Sequence, residues 1–286
     1  MRYRFIREHG DRYGVRRLCR LLDVSSSGYY TWRDRPPSRR ARQDAVLLSH
    51  IRELFRAGRG VYGYRRVHAR LQSELPCGRD RVARLMRQAD LRGKARRPFK
   101  VTTDSDHPFP VAPNLLAQDF SAAAVNQTWL ADITYIPTDE GWLYLATIED
   151  LFSRFIAGWA MASYLTDRLT RNSLQMALSR RQPPAGLVHH SDRGSQYASH
   201  AYRDLLAEAK IIQSMSSTGN AYDNAPMESF FSRLKNELVH HRRYRTRQEA
   251  RQDIFEYIEV FYNRQRAHSA LGYRSPLEFE AFHAAP

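Results

Sequence analysis

Hydrophobic positions along the chain fall into three blocks with different periodicities. In residues 13–33, Val15, Leu18, Leu21 and Leu22 recur at helical spacing. Asp23–Val24 then interrupt the pattern, and Ser25 is placed to cap a second helix carrying Tyr29, Tyr30 and Trp32. Two short helices joined by a tight turn make a helix-turn-helix plan, whose second helix suits the DNA major groove. Pro36–Pro37 and the run SRRAR predict a linker. Residues 44–90 predict a second helical unit. Val46, Leu47, His50, Ile51 and Leu54 share one face, and a Gly-rich turn (AGRGVYGY) separates them from Val67 and Leu71 on the next helix. After Pro76–Gly78, Val82, Leu85 and Met86 mark a third. From Arg92 to about Val125 periodicity is lost, and Pro98, Pro108, Pro110 and Pro113 predict an extended tether.

The third block has another character. TWLADITYIP, GWLYLATIED and RFIAGWAMA read as three strands rich in aromatic and β-branched residues. A helix over about 167–180, a short apolar strand ending in GLVHHSD, a helix near 198–210, a strand (IIQSMS), a Gly/Asn loop and two long helices follow. The order β-β-β-α-β-α-β-α-α predicts an α/β domain, a mixed sheet with flanking helices, which is the element order of the ribonuclease-H-like fold.

Charge adds a partner to this outline. Residues 1–100 hold 27 Lys/Arg against 9 Asp/Glu, whereas residues 101–286 carry a net charge of −3 within a total of +15. Arg supplies 41 of the 45 cations; a coding bias accounts for Arg over Lys but not for the asymmetry between the two ends. A polycationic end fits a phosphate backbone, where each neutralised phosphate releases counterions. Arg65, Arg66, Arg70, Arg79, Arg81, Arg84 and Arg87 are expected on outer helix faces. One such face is commonly just solvated surface; repeated over several short helices it suits DNA, and Arg65, Arg66, Arg70, Arg81 and Arg84 are the expected contacts. Cys19 and Cys77 are the only cysteines, which excludes a disulfide framework and a CxxC zinc site. No stretch approaches a membrane span and the N-terminus lacks a signal-peptide core, so a cytoplasmic protein without membrane contact is expected.

Three acids stand out by position. Asp132 lies inside the first strand among Leu130, Ile133, Tyr135 and Ile136, where a carboxylate must be paired, liganded or costly. Asp192 follows the strand LVHH at its carboxyl end, where α/β sheets place their sites. Glu228 falls in the first turns of a helix that Met227, Phe230, Phe231, Leu234 and Leu238 would seat on the sheet. Taken singly, Asp192 reads equally as a turn cap and Glu228 as a complement to the helix dipole. Together they suit in-line phosphoryl transfer, in which two divalent cations about 4 Å apart stabilise the attacking and leaving oxygens. Mg²⁺, with Mn²⁺ as a possible substitute, favours a few hard carboxylate oxygens.

The segments NQTWLADITYI (126–136), GWLYLATIEDLFSRFIAGW (141–159), HSDRGSQYAS (190–199), GNAYDNAPMESFFSRLKNEL (219–238) and FYNRQRAHSALGYRSPLEFE (261–280) resemble the catalytic protein of bacterial insertion sequences of the IS3 family, whose core is similar to retroviral integrases. Asp192 and Glu228 are separated by 35 residues, the D,D(35)E arrangement of that class, and VYGYRRVHARL extends the likeness toward the N-terminus. The resemblance implies a DNA transposase whose metal-binding triad is Asp132, Asp192 and Glu228. It also implies a DNA contact at Lys235, two helical turns after Glu228. His190 and Asn224 are supporting candidates, Asn224 as the cap of the catalytic helix; Asp150 is expected to fix a turn and His268 to be structural. No Arg/His/Tyr constellation suggests a tyrosine recombinase.

The resulting layout is a helix-turn-helix-like segment at 1–40, a helical DNA-binding domain at 41–95, a linker at 96–123 and an integrase-like core at 124–286. The expected substrates are the terminal inverted repeats and a target duplex. At least a homodimer is expected, because two element ends must be brought together. The family's upstream reading frame often supplies a further helix-turn-helix and a coiled coil; no sustained heptad is present here, so a partner product is a further expectation. A DNA-binding regulator without activity, or a metal-dependent nuclease, are the competing functions.

Overall fold

The computed structural model describes residues 1–94, 110–217 and 221–284. Two compact units are formed, Met1–Glu53 and Leu54–Pro286.

In the first unit, α1 (Arg2–Tyr13), α2 (Val15–Leu21) and α3 (Ser26–Asp34) enclose Ile6, Leu18, Cys19 and Tyr29. The α2-turn-α3 pair follows the predicted break, and Ser25 Oγ accepts the Gly28 N–H at 3.2 Å as its N-cap. Helix α1 has no counterpart in the sequence expectation. Its buried face is only Ile6 and Gly10, and Val15 packs where a Gly10 side chain would stand. Such a thin stripe gives little periodic signal. The predicted linker SRRAR is a correction: Ser38 Oγ accepts the Ala41 N–H and α4 (Arg39–Ala57) begins there, so arginines read as linker form a helical first turn. Helix α4 crosses the boundary between the units.

The second unit opens with α5 (Tyr64–Leu71) and α6 (Arg79–Gln88), whose buried residues Val67, Leu71, Val82, Leu85 and Met86 are those expected. Its sheet contains β1 (Thr128–Thr138), β2 (Gly141–Asp150), β3 (Ile156–Ala162), β4 (Val188–Ser191) and β5 (Ile212–Met215) in the order β3-β2-β1-β4-β5. The first three form an antiparallel meander, while β4 and β5 run parallel to β1. Asp150 fixes the β2–β3 turn, as expected. Its Oδ1 accepts the Phe152 and Ser153 N–H groups and its Oδ2 accepts Asn126 N–H at 2.7 Å.

Helix α7 (Asp167–Arg181) lies on β3 at Gly158, where an added Cβ would come to 2.2 Å from the Ser173 carbonyl. The Trp129, Ala131, Ile148, Ala157, Leu174 and Tyr202 side chains fill that side of the sheet. The short α8 (Ser195–Ala198) and α9 (His200–Glu208) follow β4. After β5 come α10 (Ala225–Glu237), α11 (Arg247–Phe255), a wider π-helical stretch Glu256–Tyr262, and α12 (Pro276–Ala284). The π stretch interrupts the second expected long helix. It delivers Asn263 to the β3 edge, where the Asn263 amide accepts from Ile156 N at 2.9 Å and donates to Ile156 O at 3.1 Å. This is a defined role for a π segment.

Much of the predicted tether, residues 95–109, lies outside the described residues. The following stretch has no regular element but is docked: Leu115 N–H donates to Ser214 Oγ and Asn114 Nδ2 to Asp223 Oδ2, both at 2.9 Å. No described helix is long and apolar enough to cross a membrane.

Candidate active site

Sheet pairing creates the site. β1 pairs with β4 only through Thr128–Ala131, so among the described residues Asp132–Thr138 are hydrogen-bonded on one side alone, to β2. Asp132 is the first residue past the end of that parallel ladder, partly buried, with its Oδ1 accepting the Ile133 N–H at 2.7 Å. Asp192 is the first residue after β4, beside it. Its Oδ1 accepts the Gly194 N–H at 3.0 Å, as the turn-capping reading expects. Glu228 stands in the first turn of α10, which Met227, Phe230, Phe231 and Leu234 bury against the rest of the unit.

The electrostatics tie these groups to one another. Burial pushes the Asp132 carboxyl well up, the charges of Asp192 and then Glu228 push it further, and Lys235 pulls it down. Burial also raises Glu228 and lowers the Lys235 ammonium, the latter against the pull of Asp132. Asp132 is therefore the hub at which the other three are felt. The three carboxylates are not already gathered as one ligand set: among the described residues no group of three His, Cys, Asp or Glu side chains could hold one metal ion.

Around the acids the backbone is pinned. Asn224 precedes α10 but its side chain makes no cap bond, correcting the sequence expectation. Its Nδ2 donates to the Ala131 carbonyl at 3.0 Å, the link just before Asp132. The Asn224 amide thus serves a strand carbonyl and not the helix end. His190 is buried, with Nδ1 2.8 Å from Ser214 Oγ and Nε2 3.2 Å from Ser216 Oγ, so it joins β4 to β5. Burial lowers its pKa to about 4, against the opposing charge of Asp223. His189 meets Tyr202 Oη at 2.9 Å and is held neutral by burial, its pKa lowered to about 3. Asp223 accepts the Ser217 N–H at 2.7 Å and so fastens the approach to α10. His268 is buried edge-on to Tyr262, a structural position as expected.

Two buried polar atoms near the acids lack a partner. Tyr197 is buried, its hydroxyl has no hydrogen-bond partner, and its ionisation is opposed by burial, Tyr202, Asp192 and Asp132. The Oδ1 of Asn224 is likewise buried without a partner. Both belong to quoted motifs, but strand and helix periodicity could not show that they point inward beside the acids.

The arginines separate into two groups. Arg65 is exposed beside Tyr64, and Arg81 and Arg84 are half-buried on α6, with Arg84 Nη1 donating to Gln88 Oε1 at 3.1 Å. Arg66 and Arg70 depart from the expected outer face. Arg66 is half-buried near Arg266 and Glu237, where desolvation lowers its pKa, and Arg70 donates to Glu278 at 2.9 Å and to the Gln265 carbonyl at 3.0 Å. Arg70 turns toward the C-terminal segment, where Glu278 and the Gln265 carbonyl supply its partners.

Known proteins match this arrangement along nearly the whole chain. A protein of insertion element IS600 from Shigella sonnei, described as an uncharacterized 31 kDa protein, is 49% identical over 93% of this chain and 98% of its own length. Transposase InsF for insertion sequence IS3A from Escherichia coli (strain K12) is 42% identical over 98% of both chains. The chain belongs to the IS3 family of transposases. The integrase core domain family matches this transposase at residues 122–221, which contain Asp132 and Asp192, and again at 228–282, which open with Glu228. An HTH-like domain family matches residues 41–99. A solved simian T-cell lymphotropic virus intasome, in complex with PP2A regulatory subunit B56 gamma, shares 15% identity at a TM-score of 0.48 over 76% of this chain and 74% of that one. The transposase is an enzyme of the polynucleotidyl transferase class, with a ribonuclease-H-like core and a helical HTH-like part, and it acts in DNA transposition.

Proposed function

We propose that Asp132, Asp192 and Glu228 carry metal-dependent nicking at transposon ends and the strand transfer that follows, the freed 3′ hydroxyl attacking a second phosphodiester. The observation that carries this reading is the placement of Asp132 just past the β1–β4 ladder, Asp192 just past β4 and Glu228 in the first turn of α10, with burial and then the charges of Asp192 and Glu228 raising the Asp132 carboxyl. Carboxylates crowded this way are costly without a counter-charge. The chemistry of the donor set fits Mg²⁺, or Mn²⁺ in its place, and the buried partnerless Tyr197 Oη and Asn224 Oδ1 fit a hydrated cation nearby. Asp132, Asp192 and Glu228 would hold the ions. Two such ions supply positive charge to the oxygens of an in-line displacement.

The chain's own residues do the rest. Asn224 fixes the carbonyl before Asp132, and the Asp192–Gly194 turn fixes the second carboxylate. Lys235, on the same face of α10 as Glu228, offers an ammonium to a phosphate near the reacting bond. Residues 1–40 and 41–95 serve as DNA-binding modules with 96–123 as their tether, and 124–286 as the core. Arg65, Arg81 and Arg84 contact phosphates, whereas Arg66 and Arg70 reach DNA only by breaking their present contacts. The DNA partners are terminal inverted repeats and target duplex. Action on paired ends calls for at least a dimer, with an upstream reading-frame product as a further partner, in the cytoplasm.

A strand-transfer assay on labelled transposon-end DNA tests this reading, with wild type and Glu228→Gln, each with and without Mg²⁺. Joined products should require both the metal and the glutamate. Joining by the Gln variant would refute the triad, cleavage without joining would favour a nuclease, and binding without either would favour a regulator.

A further inference from the structure

Beyond the acids, the open edge of β1 carries an aromatic surface. Tyr135 lies opposite Tyr144 and Trp142 lies opposite Pro137, so Tyr135 and Trp142 are diagonal neighbours on one face of the hairpin. Their rings meet edge to face at 4.9 Å and 78°, yet Tyr135 is 36% and Trp142 48% exposed. The Lys235 ammonium lies 5.0 Å from the centre of the Tyr135 ring and also acts on the Asp132 carboxyl. One side chain thus spans from the aromatic pair to the acid.

Beside the pair runs a basic turn, HRRYRTR, at 241–247. The turn is fastened to the hairpin tip. Asp139 N–H donates to the Tyr244 carbonyl at 2.9 Å, Arg247 Nε to the Trp142 carbonyl at 3.0 Å, and Arg247 N–H to Glu140 Oε2 at 2.9 Å. Arg242, Arg243 and Arg245 are exposed on it. Asp139 pairs with Arg243 and Asp253 with Arg242, both at 3.3 Å, so these two guanidinium groups are partly neutralised and Arg245 is left as an exposed cation on the turn. Exposed rings that accept a base, flanked by cations that follow a backbone, are the combination by which proteins hold single-stranded nucleic acid.

We propose that Tyr135 and Trp142, with Lys235 and the Arg242–Arg247 turn, bind an unpaired stretch of DNA next to the reacting phosphodiester, with a base stacked on the aromatic pair. Duplex alone does not satisfy the surface, because paired bases keep their faces covered. The inference deepens the reading of the triad by naming the form of DNA that its flank takes.

Photocrosslinking tests it on the full-length chain in EDTA, so that binding is read without catalysis. The probe is a duplex of about twenty base pairs with a single-stranded flank of about five nucleotides, within the site sizes of such grooves, containing 5-iododeoxyuridine. Wild type should crosslink at Tyr135 or Trp142. Trp142→Leu should lower crosslinking and affinity for the flanked probe roughly five-fold or more, leaving blunt-duplex affinity within about two-fold. Trp142→Phe, which keeps a stacking face, should retain most of both. Crosslinks only at other residues, no crosslink, equal affinity of wild type for flanked and blunt probes, or equal losses in the Leu and Phe variants would overturn the proposal. Because no cleavage is read, these outcomes are separate from failure of the triad in strand transfer.

Discussion

Removal of the Arg266 guanidinium should loosen the helix that carries Glu228 and Lys235. Arg266 is 1% exposed and forks onto Glu237, Nε donating to Oε2 at 2.8 Å and Nη2 to Oε1, while Tyr257 Oη donates to the same Oε2 at 2.8 Å. Glu237 is the last residue of α10, and its carbonyl also accepts Lys94 Nζ at 2.8 Å. Arg266→Met leaves a buried carboxylate without its cation, a change that costs about 3–5 kcal/mol. For a folding unit of the size of Leu54–Pro286, this corresponds to a fall in Tm of roughly 6–20 °C.

The pH dependence has a definite sign. Arg266 holds the Glu237 carboxyl below its ordinary value of 4.5, so the pair's contribution is full above that pH and is lost as pH falls through the lowered folded value. The deficit of the variant should therefore be largest near neutrality and shrink toward pH 4. Scanning calorimetry on wild type, Arg266→Met, Glu237→Leu and the double variant reads both quantities. A double variant closer to wild type than either single one is expected, since two apolar groups leave no orphan charge. A loss under about 1 kcal/mol at pH 7, or strict additivity, would refute the reasoning.

Two further outcomes follow from buried polar groups. Burial raises Glu149 from 4.5 to about 7, so it stabilises least once ionised; Glu149→Gln should match wild type below about pH 4 and exceed it by about 3 kcal/mol above pH 8, read by urea denaturation. A variant less stable than wild type at pH 8 would contradict this. Asn224→Ala removes the bond to the Ala131 carbonyl and should lower strand transfer at least ten-fold with about 1–3 kcal/mol lost in stability, whereas unchanged joining would remove Asn224 from the site's support.

Much of this architecture could be read from the sequence because it is written in local periodicity. The three meander strands are runs rich in aromatic and β-branched residues, and α5 and α6 bury Val67, Leu71, Val82, Leu85 and Met86 at helical spacing. Asp132, Asp192 and Glu228 stood out through spacing and motif, and they lie just past the β1–β4 ladder, just past β4 and in the first turn of α10. What stayed hidden depends on contacts distant in sequence. Helix α1 buries only Ile6 and Gly10, and α12 only Pro276, so neither has a stripe to read. The π stretch ends at Asn263, which bonds Ile156 across 107 residues, and Arg70 meets Glu278 across 208 residues. Asn224 looks like a cap until the strand carbonyl it satisfies is known.

The central claim is that Asp132 is a metal ligand of the joining reaction. Asp132→Cys replaces a hard oxygen with a soft sulfur at the same position, a ligand that Mg²⁺ accepts poorly and Mn²⁺ accepts better. Strand transfer by this variant should be abolished in Mg²⁺ and recovered in part in Mn²⁺, with Asp132→Ala inactive in both. Equal activity of the Cys variant in the two metals, or joining by the Ala variant, would contradict the account.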